Sequence, residues 1–279
     1  MSNRIVIEPG LRSKNYWRDL WSYRGLLYFL AWRDILVRYK QTAIGIAWSI
    51  VKPALTIAMM WFIGWLFSSN VPEGTPRVLL VALATIPWQF FSSSFSEISS
   101  SLVTNSNLLT KVYFPRLVVP LSTVIVCLVD FLISLGILII LLVAFRYMPS
   151  WQIVFLPLFV ILLLLVSIGA GLFIAALNVK YRDFRYVIPF MVQFGIYVSP
   201  VAFGSEYIYQ NQRVPEVCKF IYSLNPMVGV IDGFRWCFLG GSIHIYLPGF
   251  LVSIGISFFM LFLGVWYFRK TERSFADVI

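Results

Sequence analysis

Catalysis and metal binding need side chains that this chain holds in short supply. Its one histidine is His244, so neither a His-based relay nor a multi-His metal site can be assembled from it. Cys127, Cys218 and Cys237 are too few for a disulfide framework, and no two of them have metal-ligand spacing. Cys218 and Cys237 fall in one connection, where a disulfide is an open question. The phosphate-cradling loop G-x-x-x-x-G-K-[ST] is absent, so any nucleotide would be bound by another chain. Asp130 is the one acid deep in an apolar stretch, and a carboxylate is costly there unless it is paired or faces water. It reads as a structural hydrogen bond to a neighbouring helix or a second copy, with a proton-coupled transporter as the alternative. An integral membrane transferase would need acid, base or metal residues that the chain lacks. The expectation is a protein with no catalytic site and no metal site.

The chemistry that remains is electrostatic. Trp32 to Pro53, WRDILVRYKQTAIGIAWSIVKP, runs from a basic amphipathic segment straight into a long apolar one. At 100° per residue, Trp32, Ile35, Leu36 and Tyr39 fall on one face, and Arg33, Asp34, Arg38, Lys40 and Gln41 on the other. Such a helix lies on a membrane surface, its cations turned to anionic head groups, lipid phosphates or a soluble partner. Arg33, Arg38 and Lys40 are the candidates for holding a charged head group, with Lys52 further in. The competing reading is that the first three only fix topology and that Lys52, beside Pro53, snorkels to the interface.

The elements that carry these residues are membrane spans. Of 279 residues, 59% are hydrophobic and 12% charged, too few charges to cover a water-soluble surface. The net charge of +10 is scattered between apolar runs and not gathered on a nucleic-acid-binding face. Six apolar stretches can be marked, at 44–67, 78–95, 117–145, 151–177, 187–203 and 243–268. A span needs about 20 residues, so the second and fifth are marginal; they also carry Pro87, and Pro189 with Pro200. The fold class expected is an all-α integral membrane protein of six helices. Residues 1–43 would form a cytoplasmic segment with an interfacial helix, 44–268 the transmembrane domain, and 269–279 a cytoplasmic tail. No cleavable signal precedes the first span, which is expected to stay in the mature protein. Segments 1–43, 96–116, 178–186 and 269–279 hold 16 of the 22 Lys and Arg, which puts both termini in the cytoplasm. The longest connection, 204–242, then lies outside. Its CKFIYSLNPMVGVIDGFRWCFLGG predicts two short re-entrant or interfacial helices broken at Asn225-Pro226.

Aromatic residues make up 18% of the chain and some recur at helical spacing. Trp61 and Trp65 are four apart on the first span, and Phe190, Phe194 and Tyr197 follow on the fifth. Flat rings suit a path for sugars, and lipid-facing girdles use the same residues. On the inner side, NSNLLTKVYFPR combines Leu108, Leu109, Val112 and Phe114 with Lys111 and Arg116, a short helix fit to slot apolar knobs into a partner's groove. NVKYRDFRY adds Lys180, Arg182 and Arg185.

These stretches, with ALNVKYRDFRYVIPF, LNPMVGVIDGFRW and the closing FRKTERSFADVI, together resemble the membrane subunit of type-2 ABC exporters of cell-surface polysaccharides such as O-antigen, capsule and teichoic acid. The likeness runs from about Trp32 to the end. It implies a homodimer of six-span subunits in the bacterial inner membrane, with two copies of a separate subunit that binds ATP and magnesium, and no cofactor in this chain. By that likeness Asn107, Leu108, Leu109, Lys111, Phe114, Pro115 and Arg116 belong to the coupling segment that docks on the ATPase. Asn225, Pro226, Phe234 and Trp236 would belong to an outer gate, and the first and fifth spans would line the path of a polyprenyl-diphosphate-linked polysaccharide. A type-2 exporter of a lipid or drug would share this architecture.

Overall fold

A computed structural model describes residues 16–40, 47–67, 74–181, 183–209, 211, 213–242, 245–272 and 275. Gln41, Ile44, Arg182, Ile243, His244 and the segment before Tyr16 lie outside the described residues. The described chain is helical, with no strand among its described residues.

Two helices, α1 (Tyr16–Ser22) and α2 (Arg24–Lys40), precede the membrane helices. Five helical stretches are long and apolar enough to cross a bilayer: α3 (Ala47–Phe67), α4 (Arg77–Thr104), α6 (Val118–Ala144), α7 (Leu156–Lys180, led in by a 3-10 turn from Trp151) and α12 (Leu247–Thr271). The protein is thus an integral membrane protein. The stretch expected as the fifth span is α8 (Phe184–Val198), whose 15 residues reach only about 22 Å at 1.5 Å per residue. Between α4 and α6 lies the short α5 (Ser106–Lys111); between α8 and α12 lie α9 (Glu206–Tyr209), α10 (Glu216–Ser223) and α11 (Pro226–Leu239).

The largest correction concerns α4. The expected span of 78–95 continues nine residues further as one helix, so 96–104 is helical and not a loop. The run Ser92 to Ser101 looks polar in sequence, but in a helix it splits. Ser92, Ser96 and Ser100 recur at i, i+4, i+8 on one face, while Ser94 and Ser101 are buried on the other and Ser99 is buried at the edge between them. Pro87 sits inside α4 without ending it, among buried neighbours from Leu79 to Trp88.

The core is built where α4, α7 and α12 meet. Lipid does not drive helices together as water does, so contact depends on small residues that let backbones approach. At the crossing of α7 and α12, a Cβ on Gly264 would stand 2.1 Å from the Gly169 carbonyl oxygen, and one on Gly169 2.5 Å from the Leu261 nitrogen. Ile98 of α4 occupies the space beside Gly171 in the same way.

The break at Asn225-Pro226 is as expected. The Asn225 side chain accepts from the Met227 amide at 3.0 Å and caps α11, while Pro226 takes a first-turn position where no amide is missed. α11 is drawn into the core, against α4, α7 and α12. Arg235, a residue that the sequence did not single out, is 1% exposed and donates to the carbonyls of Leu80, Val201 and Phe203 at 3.2, 3.4 and 3.1 Å, with Asp232 at 3.9 Å. It ties the non-helical chain after α8 to α4, satisfying the Val201 and Phe203 carbonyls, which no helix serves. The three cysteines are free, Cys218 exposed and Cys127 and Cys237 buried.

Candidate functional site

Helices α2, α3, α4, α6 and α8 enclose a cavity of about 1120 Å³. α4 lines it with the polar stripe of Gln89, Ser92, Ser93, Ser96, Glu97 and Ser100, which is why that helix outlasts its apolar run. α3 contributes Trp48, Ser49, Lys52 and Pro53, α6 contributes Asp130, and α8 contributes Arg185, Ile188, Pro189, Val192 and Gln193. A space walled by hydroxyls, amides and charges in an apolar protein is built for a polar occupant.

One wall is held by a charge network. Asp130 accepts from Arg38 Nη1 at 2.6 Å, from the Tyr39 hydroxyl at 2.6 Å and from the Ser49 hydroxyl at 2.8 Å. Arg38 Nη2 donates to Glu97 Oε1 at 2.7 Å. Asp130 therefore joins the end of α2 and the start of α3 to α6, which answers the cost of a carboxylate in that helix. Arg38 and Tyr39, assigned by the helical wheel to opposite faces, converge on one carboxylate because neighbouring residues 100° apart both flank the line facing α6. Burial works against the charged Arg38 guanidinium, but Glu97 and Asp130 outweigh it and hold the group above its usual range. Burial and the bond to Asp130 push the Tyr39 hydroxyl up to about 12.

The four head-group candidates separate. Arg38 and Lys52 line the large cavity. Arg33 and Lys40 instead line a groove of about 350 Å³ on the outer side of α2 with Phe29, Trp32, Leu36 and Val37, and Arg33 also donates to Asn105 at 3.2 Å. The candidate aromatics Trp61, Trp65, Phe190, Phe194 and Tyr197 are all exposed on α3 and α8 and lie outside that cavity's lining. Phe190 and Phe194 stack at 5.9 Å.

In the segment between α4 and α6, the expected knobs face two ways. Leu109 and Phe114 are buried in the protein's own core, whereas Val112 and Tyr113 are exposed. Asn107, Leu108 and Lys111 complete α5, Leu108 packing against the core. Pro115 leads to Arg116, whose amide donates to Glu272 Oε1 at 2.9 Å and whose guanidinium donates to the Glu272 carbonyl and lies over Phe275. The Tyr16 hydroxyl donates to the same carboxylate at 3.1 Å, and Arg269 covers the rings of Tyr16 and Trp17. Burial holds the Glu272 carboxyl above its usual range even with these donors around it. No sequence pattern signalled this cluster, because its members come from both ends and the middle of the chain. At the other end, Phe234 is buried edge-on to Phe131, and Trp236 packs beside Phe155 and Phe159, so both serve the core.

A helical membrane protein with an off-centre polar cavity, a protruding segment between its second and third long helices and no nucleotide loop has the parts of a transport permease. Residues 25–239 match the ABC-2 type transporter membrane family, and the chain belongs to it. Among individual proteins it is similar to the O-antigen export system permease protein RfbA of Myxococcus xanthus, 27% identical over 263 residues that cover 94% of this chain and 98% of the relative. A protein of the same name from Klebsiella pneumoniae is 28% identical over 256 residues, covering 91% and 95%. Membership in this family implies an ATP-binding partner and a transport role for this chain.

Proposed function

We propose that this chain is the permease of an ATP-driven exporter that moves a polyprenyl-diphosphate-linked, O-antigen-like polysaccharide from the cytoplasmic to the outer face of a bacterial inner membrane. The observation that carries this reading is the near end-to-end likeness to O-antigen export permeases, joined to a hydroxyl-lined cavity of about 1120 Å³. Hydroxyls and amides suit a sugar, which offers donors and acceptors in turn. Two copies pair through the exposed aromatic faces of α3 and α8, with α8 completing six membrane helices per copy and both termini in the cytoplasm. The rings of Trp61, Trp65, Phe190, Phe194 and Tyr197 then line a shared path, and Lys52 meets the head group at its inner end.

Two copies of the ATP-binding subunit, which holds ATP and magnesium, dock on α5 and on Val112 and Tyr113. Their closure on ATP moves that segment, and with it α4 and α6, which wall the cavity. Asn225 and Pro226 set the hinge between α10 and α11 at the outer end. Asp130, bound by three donors, acts by holding this wall in place.

The test is transport in inverted vesicles containing the chain and its ATP-binding partner. The expected result is ATP-dependent uptake of the lipid-linked glycan. Uptake of lipids or drugs in its place, with no response to the glycan, would overturn the substrate assignment.

A further inference from the structure

The charged residues of the large cavity divide into two sets. Arg38, Glu97 and Asp130 are bound to one another at 2.6 and 2.7 Å, so one guanidinium faces two carboxylates. The set carries a net negative charge and repels an anion. Lys52 and Arg185 line the same cavity, and among the described residues neither enters an ion pair. Lys52 stands in the second turn of α3 and Arg185 in the first turn of α8. Gln89, from α4, lines the space as well, and its buried side-chain nitrogen has no acceptor among the described residues.

We infer that Lys52 and Arg185 form the cavity's phosphate-binding pair, that they take the diphosphate of a lipid-linked glycan, and that Arg38 is a positioning residue that holds α2 to α6. The inference rests on the transport reading above and names the residues of its binding site. A diphosphate carries at least two negative charges. An arginine fork and a lysine ammonium together neutralise them, the first in fixed geometry and the second as a mobile point charge. The hydroxyls of Ser92, Ser93 and Ser96 and the Gln89 amide are then placed to receive the first sugar. Arg38 takes no part in capture, because its charge is already matched by Glu97 and Asp130.

The experiment uses the full chain with its ATP-binding partner in lipid nanodiscs and measures affinity for a short-chain polyprenyl-diphosphate-linked sugar at low and moderate salt. Each of Lys52→Gln and Arg185→Gln is expected to weaken binding about tenfold, the worth of one charge-assisted contact, and the pair about a hundredfold. The double variant also loses the wild-type preference for the diphosphate over the polyprenyl monophosphate. Lys52→Arg and Arg185→Lys keep most of the affinity, and Arg38→Gln stays within about threefold of wild type, a difference of about 0.7 kcal/mol or less. Melting is followed in parallel, and the single variants decide the matter if the double variant does not assemble. Unchanged affinity in both single variants overturns the inference alone. A loss in Arg38→Gln as large as theirs, with melting intact, overturns it too. Displacement of the probe by phosphatidylglycerol at equal concentration makes this a general lipid site and overturns it. If the wild-type complex ignores the probe, the transport reading falls with it.

Discussion

The two faces of α4 use serine for opposite ends. Away from the cavity, Ser94, Ser99 and Ser101 are buried, and α4, α7, α11 and α12 form a slab whose contacts leave no room for an added methyl at Gly169, Gly171, Gly229, Gly233 or Gly264. Towards α2, α3 and α8, Ser92, Ser96 and Ser100 face open space. Of the most apolar stretch of α4, 72% is buried, against 22% for α3. The slab is held by packing that tolerates little change of shape. The wall is held by a few polar bonds around Asp130 and by α8. A transporter needs one part that keeps its shape and another that can part from it, and the two faces of a single helix separate them.

The comparison breaks most readily at the glycines. Gly264→Leu should cost about 3 kcal/mol by overpacking and lower both yield and melting temperature in detergent. Gly255→Leu on the same helix, where an added Cβ meets nothing within 4 Å, should melt as wild type does. Equal behaviour of the two would mean that the slab is not close-packed.

Phe114→Ala should cost a similar amount, about 3 kcal/mol, because Phe114 belongs to the core. Tyr113→Asp should leave melting unchanged and cut co-purification of the ATP-binding partner about tenfold, a loss of about 1.4 kcal/mol in association. The reverse pattern would return Phe114 to the docking surface.

For the wall, Asp130→Asn removes a charge from three donors and should destabilise by about 1–2 kcal/mol. In a double-mutant cycle with Arg38→Gln, the coupling should be about 1 kcal/mol, since both groups are partly solvated. No coupling would mean that the wall is held elsewhere. The smallest effect on stability belongs to Phe194→Ala and Tyr197→Ala, within about 0.5 kcal/mol because these rings are exposed. Surface glycan should nevertheless appear more slowly, and normal export would remove the rings from the path.

Much of this was legible in sequence. The long helices, the cap at Asn225-Pro226 and the family likeness follow from apolar run length, one proline and several short motifs. The C-terminal third of α4 was not, because a hydropathy window averages across faces and scores Ser92–Ser101 as polar although three of its seven serines are buried. The signal that could have found it is the four-residue spacing of Ser92, Ser96 and Ser100. The site's cations were named but not sorted. That Arg38 turns inward while Arg33 and Lys40 turn outward depends on two carboxylates 59 and 92 residues away, which a helical wheel of α2 does not contain. The burial of Phe114 and Phe234 was hidden for a related reason: an apolar residue in a short connection has the same sequence signature whether it faces a partner or its own core.

The bond from Arg116 to Glu272 joins residues 156 positions apart. In biosynthesis, the segment between α4 and α6 leaves the ribosome long before α12 does, and it receives this anchor only when the last long helix has been inserted. Until then Arg116 has neither Glu272 nor Phe275 beside it. Completion of the last long helix is thereby registered in the segment between α4 and α6, and a chain stalled or cut before Glu272 carries that segment without the brace.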